Sequence, residues 1–284
     1  MQTVTTIAEL RKIIQSWKQQ GDSVAFVPTM GNLHDGHLHL VQQAKSKARR
    51  VVVSIFVNPT QFGVNEDFSS YPRTETQDQE KLLAIGTDLV FLPSVDEMYN
   101  PTAKTSVTVS GLSEIHCGAS RVGHFAGVAT VVCKLFNMVQ PDLALFGLKD
   151  FQQLMVIRTM VRDLNIPVGI LGIDTVREAD GLAMSSRNGY LSKAERQIAP
   201  VLYQTLCSAK EAILKGETIE TVTEQAKQRL TDVGFVVDYF TVCRADDLSL
   251  AQNTDTELVI LTAAKLGKTR LIDNLTWNLR HDLD

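Results

Sequence analysis

Apolar residues recur along positions 1–176 in two alternating rhythms. Ile7, Leu10, Ile14 and Trp17 repeat every three to four residues, the period of a helix with one buried face. Ser23 to Pro28 is a short, nearly unbroken apolar run, as expected of a strand buried on both sides. The pair then repeats: Leu38, Val41 and Ala44 mark a helix over 36–49, and Val51 to Val57 is a β-branched strand interrupted only by Ser54. A polar amphipathic helix over 74–85 and a strand over 88–92 follow. Residues 106–125, irregular and holding Gly and His, break the rhythm. It resumes with an apolar helix over 127–139, a strand over 143–146, a helix over 150–163 and a strand over 168–176. Strands alternating with helices predict an α/β fold with a doubly wound parallel sheet, and in such sheets ligands sit at the carboxyl ends of strands.

After about residue 187 the pattern changes. Ser192 caps a long helix running to about Lys215, a second helix spans 219–233, and β-rich segments follow at 236–242, 258–264 and 269–272. This reads as a smaller C-terminal α+β domain. The boundary is placed at Val176, giving domains 1–176 and 177–284.

Composition narrows the possibilities. The 284 residues are 44% hydrophobic and 21% charged, enough for an ordinary core without disulfide or metal staples. A formal net charge of −4 argues against nucleic-acid or anionic-membrane partners, so a site for an anionic substrate must be locally basic. Cys117, Cys133, Cys207 and Cys243 form no C-x-x-C pair and read as reduced thiols of a cytoplasmic protein. The opening MQTVTTIAELRKI lacks the basic and apolar regions of a signal peptide, and the apolar run 51–57 is too short to cross a bilayer.

Candidate chemistry concentrates where predicted strands give way to helices. In MGNLHDGHLHL, residues 30–40, Gly31 permits a tight turn and Asp35 is the expected N-cap of a helix starting near Gly36. His34 then precedes the helix and His37 lies in its first turn, where unpaired N–H groups and the helix dipole favour phosphate. His39 falls on another face. A metal site or bland surface histidines are the alternatives. FGLKDFQQL, residues 146–154, again joins a strand to a helix, with Lys149 and Gln153 four apart on one face; an exposed Lys and a solvated Gln are the bland reading. READGLAMSSRNGYLS, residues 177–192, offers two hydroxyls and a guanidinium as a phosphate clamp, unless it merely links domains. In VNPTQFG, residues 57–63, Asn58 and Gln61 suit a substrate with hydroxyls and a carboxylate. In YPRTETQD, Asp78 is either a magnesium-side carboxylate or a helix-surface charge.

His34-Asp35-Gly36-His37 resembles the H-I-G-H signature of nucleotidyltransferases and class I aminoacyl-tRNA synthetases. With SIFVNPTQF, YPRT, FGLKDFQQL and VREADGLAMSSRN in the same order, the chain closely resembles the pantothenate synthetase, or pantoate–β-alanine ligase, family. The resemblance implies a Rossmann-like N-terminal domain, a smaller C-terminal domain that moves over the site, a homodimer, and ATP with Mg²⁺. It implies that pantoate's carboxylate attacks the α-phosphorus of ATP and that the amine of β-alanine then attacks the pantoyl adenylate. It places ATP on Met30, Gly31, Asn32, Leu33, His34, Asp35, Gly36 and His37, then on Gly147, Leu148, Lys149 and Asp150, and further on Val176, Met184, Ser185, Ser186 and Arg187. Pantoate falls to Gln61 and Gln153, β-alanine to the neighbourhood of Gln61, and a metal contact to Asp78. His37 is the family's catalytic residue, described as a proton donor, with His34 and Lys149 beside it. An ionised carboxylate needs no general base, so these groups are expected to stabilise charge on the phosphates. The chain departs from the family at Arg121-Val122-Gly123-His124-Phe125-Ala126, where RPGHF and a polar residue are common, and at Leu148, where a polar residue often precedes the lysine. Two other classes remain: a nucleotidyltransferase that keeps the nucleotide in its product, and a non-enzymatic nucleotide- or RNA-binding relative. The acidic balance and the intact His34, His37, Lys149, Ser185 and Ser186 weigh against the last.

Overall fold

The computed structural model describes residues 1–64, 66–252 and 254–278. By its internal contacts the chain divides into two compact units, 1–148 with 153–174, and 149–152 with 175–284.

The first unit is built on a parallel sheet. In chain order its elements are β1 (Gln2–Val4), α1 (Ile7–Gln19), β2 (Val24–Thr29), α2 (Asp35–Lys47), β3 (Arg50–Ile55), α3 (Glu75–Ala84), β4 (Leu89–Phe91) and the short α4 (Val95–Met98). The short α5 (Cys117–Ser120), then α6 (His124–Val139), β5 (Leu143–Gly147), α7 (Phe151–Asp163) and β6 (Gly169–Ile173) complete it. The strand order is β1-β4-β3-β2-β5-β6, with every pairing parallel. Period-two alternation explains why helices cover both faces. Ala25 and Val27 of β2 pack in one cluster with Val41 and Ala44 of α2 and Leu82 of α3. Phe26, between them, meets Phe136 of α6 edge-on at 6.4 Å. Each buried Val, Leu or Phe among them contributes about 1.5–3 kcal/mol by leaving water.

The chain reverses its direction of travel across the sheet between β2 and β5, the switch point at which such sheets bind ligands. The pairing of β2 with β5 covers Ala25 and Phe26 only. With β3 the pairing of β2 continues through Pro28 and Thr29, and the turn after β2 leaves at the carboxyl edge of the sheet.

The second unit carries α8 (Lys193–Ile198), α9 (Val201–Leu214), α10 (Ile219–Asp232) and an antiparallel sheet β7-β8-β9 (Phe235–Arg244, Glu257–Leu266, Thr269–Asn278). Leu202, Leu206, Leu230, Phe240, Ile260 and Trp277 share its core. Two expectations are corrected here. The single helix from Ser192 to Lys215 is two, because Pro200 has no N–H for the ladder and becomes the N-cap of α9. The three strands run ten residues each, longer than the apolar runs alone indicated, since β7 and β9 alternate buried and exposed positions. Among the described residues no helix is long and apolar enough to cross a membrane.

Candidate active site

The turn after β2 is held in place by side chains from α3. Gly31 and Asn32 both take the left-handed conformation, with φ of 81° and 50°. At Gly31 a Cβ would come within 3.1 Å of both Asp78 Oδ2 and Ile55 Cγ2, so only glycine fits without displacement. Asp78 is fully buried, and its Oδ2 and Oδ1 accept the backbone N–H of Asn32 and Leu33, each at 2.8 Å. Thr74 Oγ1 also donates to Asp78 Oδ2. One turn along α3, Lys81 Nζ donates to the carbonyl of Leu33 at 2.6 Å. Asp78 is therefore not a helix-surface charge: its carboxylate is a buried acceptor for the turn, with both oxygens engaged by protein donors.

The mouth of α2 is capped by histidine rather than by Asp35. His34 is the N-cap, and its Nδ1 accepts the N–H of Gly36 at 3.2 Å. His37 Nδ1 reaches back to accept the N–H of His34 at 3.3 Å. Asp35, expected as the cap, is instead the first helical residue, where its charge suits the dipole. The two rings lie 4.1 Å apart, tilted by 43°. A nitrogen that accepts cannot carry the proton, so each neutral ring carries it on Nε2, and Nε2–H is its donor. A second correction follows. Open backbone N–H groups were expected to cradle phosphate, yet those of Asn32, Leu33, His34, Gly36 and His37 are all taken by protein acceptors. Two imidazoles, His34 and His37, stand at the same mouth. His39, further along α2, takes no part in this cap.

Gln61 stands in a 3-10 turn, Pro59–Gln61, after β3. The hub of that turn is Asn58, 1% exposed. Its Nδ2 donates to Gln61 Oε1 and to the carbonyl of Gly127, and its Oδ1 accepts from Tyr99 and Thr60 hydroxyls. Both ends of the Asn58 amide are thus bonded within the protein, and Gln61 Nε2 donates to Met30 Sδ at 3.1 Å. The Arg121–Ala126 segment, where the chain departs from the pattern it otherwise resembles, braces the same turn. Arg121 pairs with Glu66 through two bonds of 2.6 Å and donates to His124 Nε2 at 2.9 Å. His124 Nδ1–H then donates to the carbonyl of Gln61 at 2.8 Å. Burial would raise the Glu66 carboxyl, but Arg121's guanidinium outweighs it and holds the group below the usual carboxylate range. Nothing in the apolar pattern flagged this brace.

Gly127 lets α6 approach the turn closely, because a Cβ there would collide with the carbonyl of Thr60. Gly127→Ala is expected to cost about 1–3 kcal/mol through overpacking and to displace Gln61. Thermal melting checks the first effect, and a structure of the variant checks the second.

The remaining candidates are placed as follows. Gly147 ends β5, and Leu148–Asp150 form a 3-10 turn leading into α7. Lys149 thus precedes the helix, so it and Gln153 are not two positions on one regular helical face. Lys149 Nζ lies 3.8 Å from Asp150 Oδ2. Gln153 is half-buried on the first turn of α7. β6 ends at Ile173, so Val176 is not its last residue; its carbonyl accepts from Met184 N at 3.0 Å and closes a small hairpin. Ser185 caps a 3-10 turn, Ser186–Tyr190, by accepting from Arg187 N. Asn188 ties that turn to Ala183 and Glu178.

The pantoate-beta-alanine ligase family pattern matches residues 2–276. A pantothenate synthetase of Shewanella baltica (strain OS223) is 55% identical over 280 residues, 98% of this chain and 100% of that protein. One from Shewanella loihica is 57% identical over 279 residues, covering 98% and 99%. Among solved structures, the enzyme of Thermus thermophilus superposes with a TM-score of 0.92 at 46% identity, covering 97% and 99%. That of Francisella tularensis, described as complexed with beta-gamma ATP and beta-alanine, gives 0.80 at 34% identity and 97% of each chain. The turn after β2, the sheet that presents it and these full-length similarities agree: this chain belongs to the pantoate–β-alanine ligase family.

Proposed function

We propose that the protein condenses (R)-pantoate with β-alanine at the expense of ATP, through pantoyl adenylate, releasing AMP and pyrophosphate. The observation that carries the chemistry is the pair of imidazoles at the mouth of α2, each with Nδ1 accepting a backbone N–H. Preset in this way, His34 and His37 present Nε2–H as fixed donors for phosphate oxygens, with no reorganisation as charge develops.

In the first half-reaction an oxygen of the pantoate carboxylate forms a bond to the α-phosphorus. The bond from that phosphorus to the bridging oxygen breaks, and pyrophosphate leaves with its electrons. No proton need be removed from the nucleophile. The burden is the charge on the departing group, which His37, His34 and Lys149 meet with hydrogen bonds and a cation. His37 is placed to give that group a proton or a strong hydrogen bond. Met30–His37, Gly147–Asp150, Val176 and Met184–Arg187 are the proposed ATP segments, with the Arg187 guanidinium and the O–H groups of Ser185 and Ser186 as donors. Gln61 and Gln153 are proposed to bind pantoate, and Gln61, braced by Asn58 and His124, to lie beside β-alanine. In the second half-reaction the neutral amine attacks the acyl carbon, the acyl–oxygen bond breaks, AMP leaves with that oxygen, and the surplus proton on nitrogen passes to the departing phosphate or to solvent.

The family resemblance also supports magnesium, a homodimer and a cytoplasmic setting. Among the described residues no three His, Cys, Asp or Glu gather to hold a cation. Asp78 is occupied as described. Magnesium is therefore proposed to come and go with the phosphates of ATP rather than in a protein cage.

Incubation with ATP, Mg²⁺, pantoate and β-alanine should give pantothenate, AMP and pyrophosphate in equal amounts. ADP and phosphate would overturn the adenylate route. A stable adenylylated product without free AMP would point to a nucleotidyltransferase.

A further inference from the structure

Asp273 and Asn274 stand side by side on β9, and both are buried. The Asp273 carboxylate takes both arms of Arg177: Nη1 donates to Oδ2 at 2.7 Å and Nη2 to Oδ1 at 2.9 Å. Arg177 also donates to the carbonyl of Gly181, and its guanidinium lies over the Tyr203 ring at 3.5 Å. Its backbone bridges to Ala183, immediately before Met184–Arg187. The base of that hairpin is thus clamped by a planar, bidentate ion pair stacked on an aromatic face, a geometry with little freedom.

The next residue holds a different segment. Asn274 Nδ2 donates to the carbonyl of Lys149 at 2.8 Å. Its own backbone N–H donates to Asp273 Oδ1 at 2.8 Å, which ties the Asp273 carboxylate to the strand at Asn274. Lys149 lies in a 3-10 turn, where carbonyls have poorer regular partners than in an α-helix. Asp273, Asn274, Arg177, Lys149 and Met184–Arg187 all belong to the second unit.

We propose that Asp273 and Asn274 are a positioning pair for the adenylation half-reaction, with Asn274 setting the backbone of Lys149 and Asp273, through Arg177, setting the Met184–Arg187 turn. One strand thereby gives two segments, separated by more than thirty residues, a common reference. Charge stabilisation by a lysine on a flexible stem depends on where its backbone is held. This inference rests on the ATP roles proposed above for Lys149 and residues 184–187.

The test is a double-mutant cycle on single-turnover pyrophosphate release from ATP and pantoate. Asn274→Ala removes one donor without stranding a charge, and Asn274→Ser carries the same test should the alanine variant fold poorly. Melting curves confirm folding. If Asn274 acts through Lys149, Asn274→Ala slows release by about tenfold in the native background but by less than about twofold beside Lys149→Ala. Reaction of preformed pantoyl adenylate with β-alanine keeps its rate. A structural role lowers both backgrounds by the same factor, and that result, or an undiminished native-background rate, overturns the proposal. A wild-type enzyme that releases no pyrophosphate with pantoate overturns the ligase reading itself, a distinguishable result.

Discussion

Asp78→Asn is expected to destabilise the first unit by about 2–3 kcal/mol, the loss of one charge-assisted bond together with a buried N–H left without its acceptor. The side chain is fully buried, and its two oxygens accept from Asn32 and Leu33 at 2.8 Å. An amide of the same shape can accept at only one of those positions. Its NH₂ group must face the other backbone N–H, donor against donor. The melting temperature should fall by roughly 4–12 °C, and KM for ATP should rise because the turn carrying His34 and His37 loosens. A metal-ligand role makes the opposite forecast: a near-native melting temperature, with activity recovered by raising Mg²⁺. Melting curves with and without excess Mg²⁺ separate the two.

His37→Ala is expected to slow adenylation by at least about tenfold, roughly 1.4 kcal/mol of barrier. The substitution removes both the Nε2–H donor and the acceptor for the N–H of His34, so the cap of α2 is weakened as well. His39→Ala should be nearly silent, because His39 makes no contribution to the cap. Single-turnover pyrophosphate release measures both. A native rate for His37→Ala removes the residue from the chemistry. A comparable loss at His39 means that the histidines divide differently.

The parallel sheet was legible because strands buried on both faces are continuous apolar runs, as at 24–27 and 51–53, and the helices between them repeat every three to four residues. β1 was missed: three residues at the edge of a sheet carry too little pattern. The break at Pro200 was hidden by apolar spacing that continues through it, although the proline itself was the signal. Ligand-facing stretches were legible as unusual polar residues at strand ends, with His34, His37 and Lys149 among them. The residues that hold those stretches were not. Asp78 and Lys81 are three apart on α3 and look like any charged helix surface, until the turn after β2 is seen lying against them. Glu66 and Arg121 are 55 positions apart, and Asn274 and Lys149 are 125 apart. Contacts at such separations leave no local periodicity. The cap of α2 is subtler still, since Asp35 is the better cap by residue type and His34 is the cap by geometry.

The most direct test of the adenylate route follows the oxygens of pantoate. Pantoate labelled with ¹⁸O in its carboxylate is turned over with ATP and β-alanine, and the AMP is analysed by mass spectrometry. Attack of the carboxylate on the α-phosphorus leaves one labelled oxygen in AMP and the other in the amide carbonyl of pantothenate. Unlabelled AMP, or label recovered in inorganic phosphate beside ADP, would contradict it.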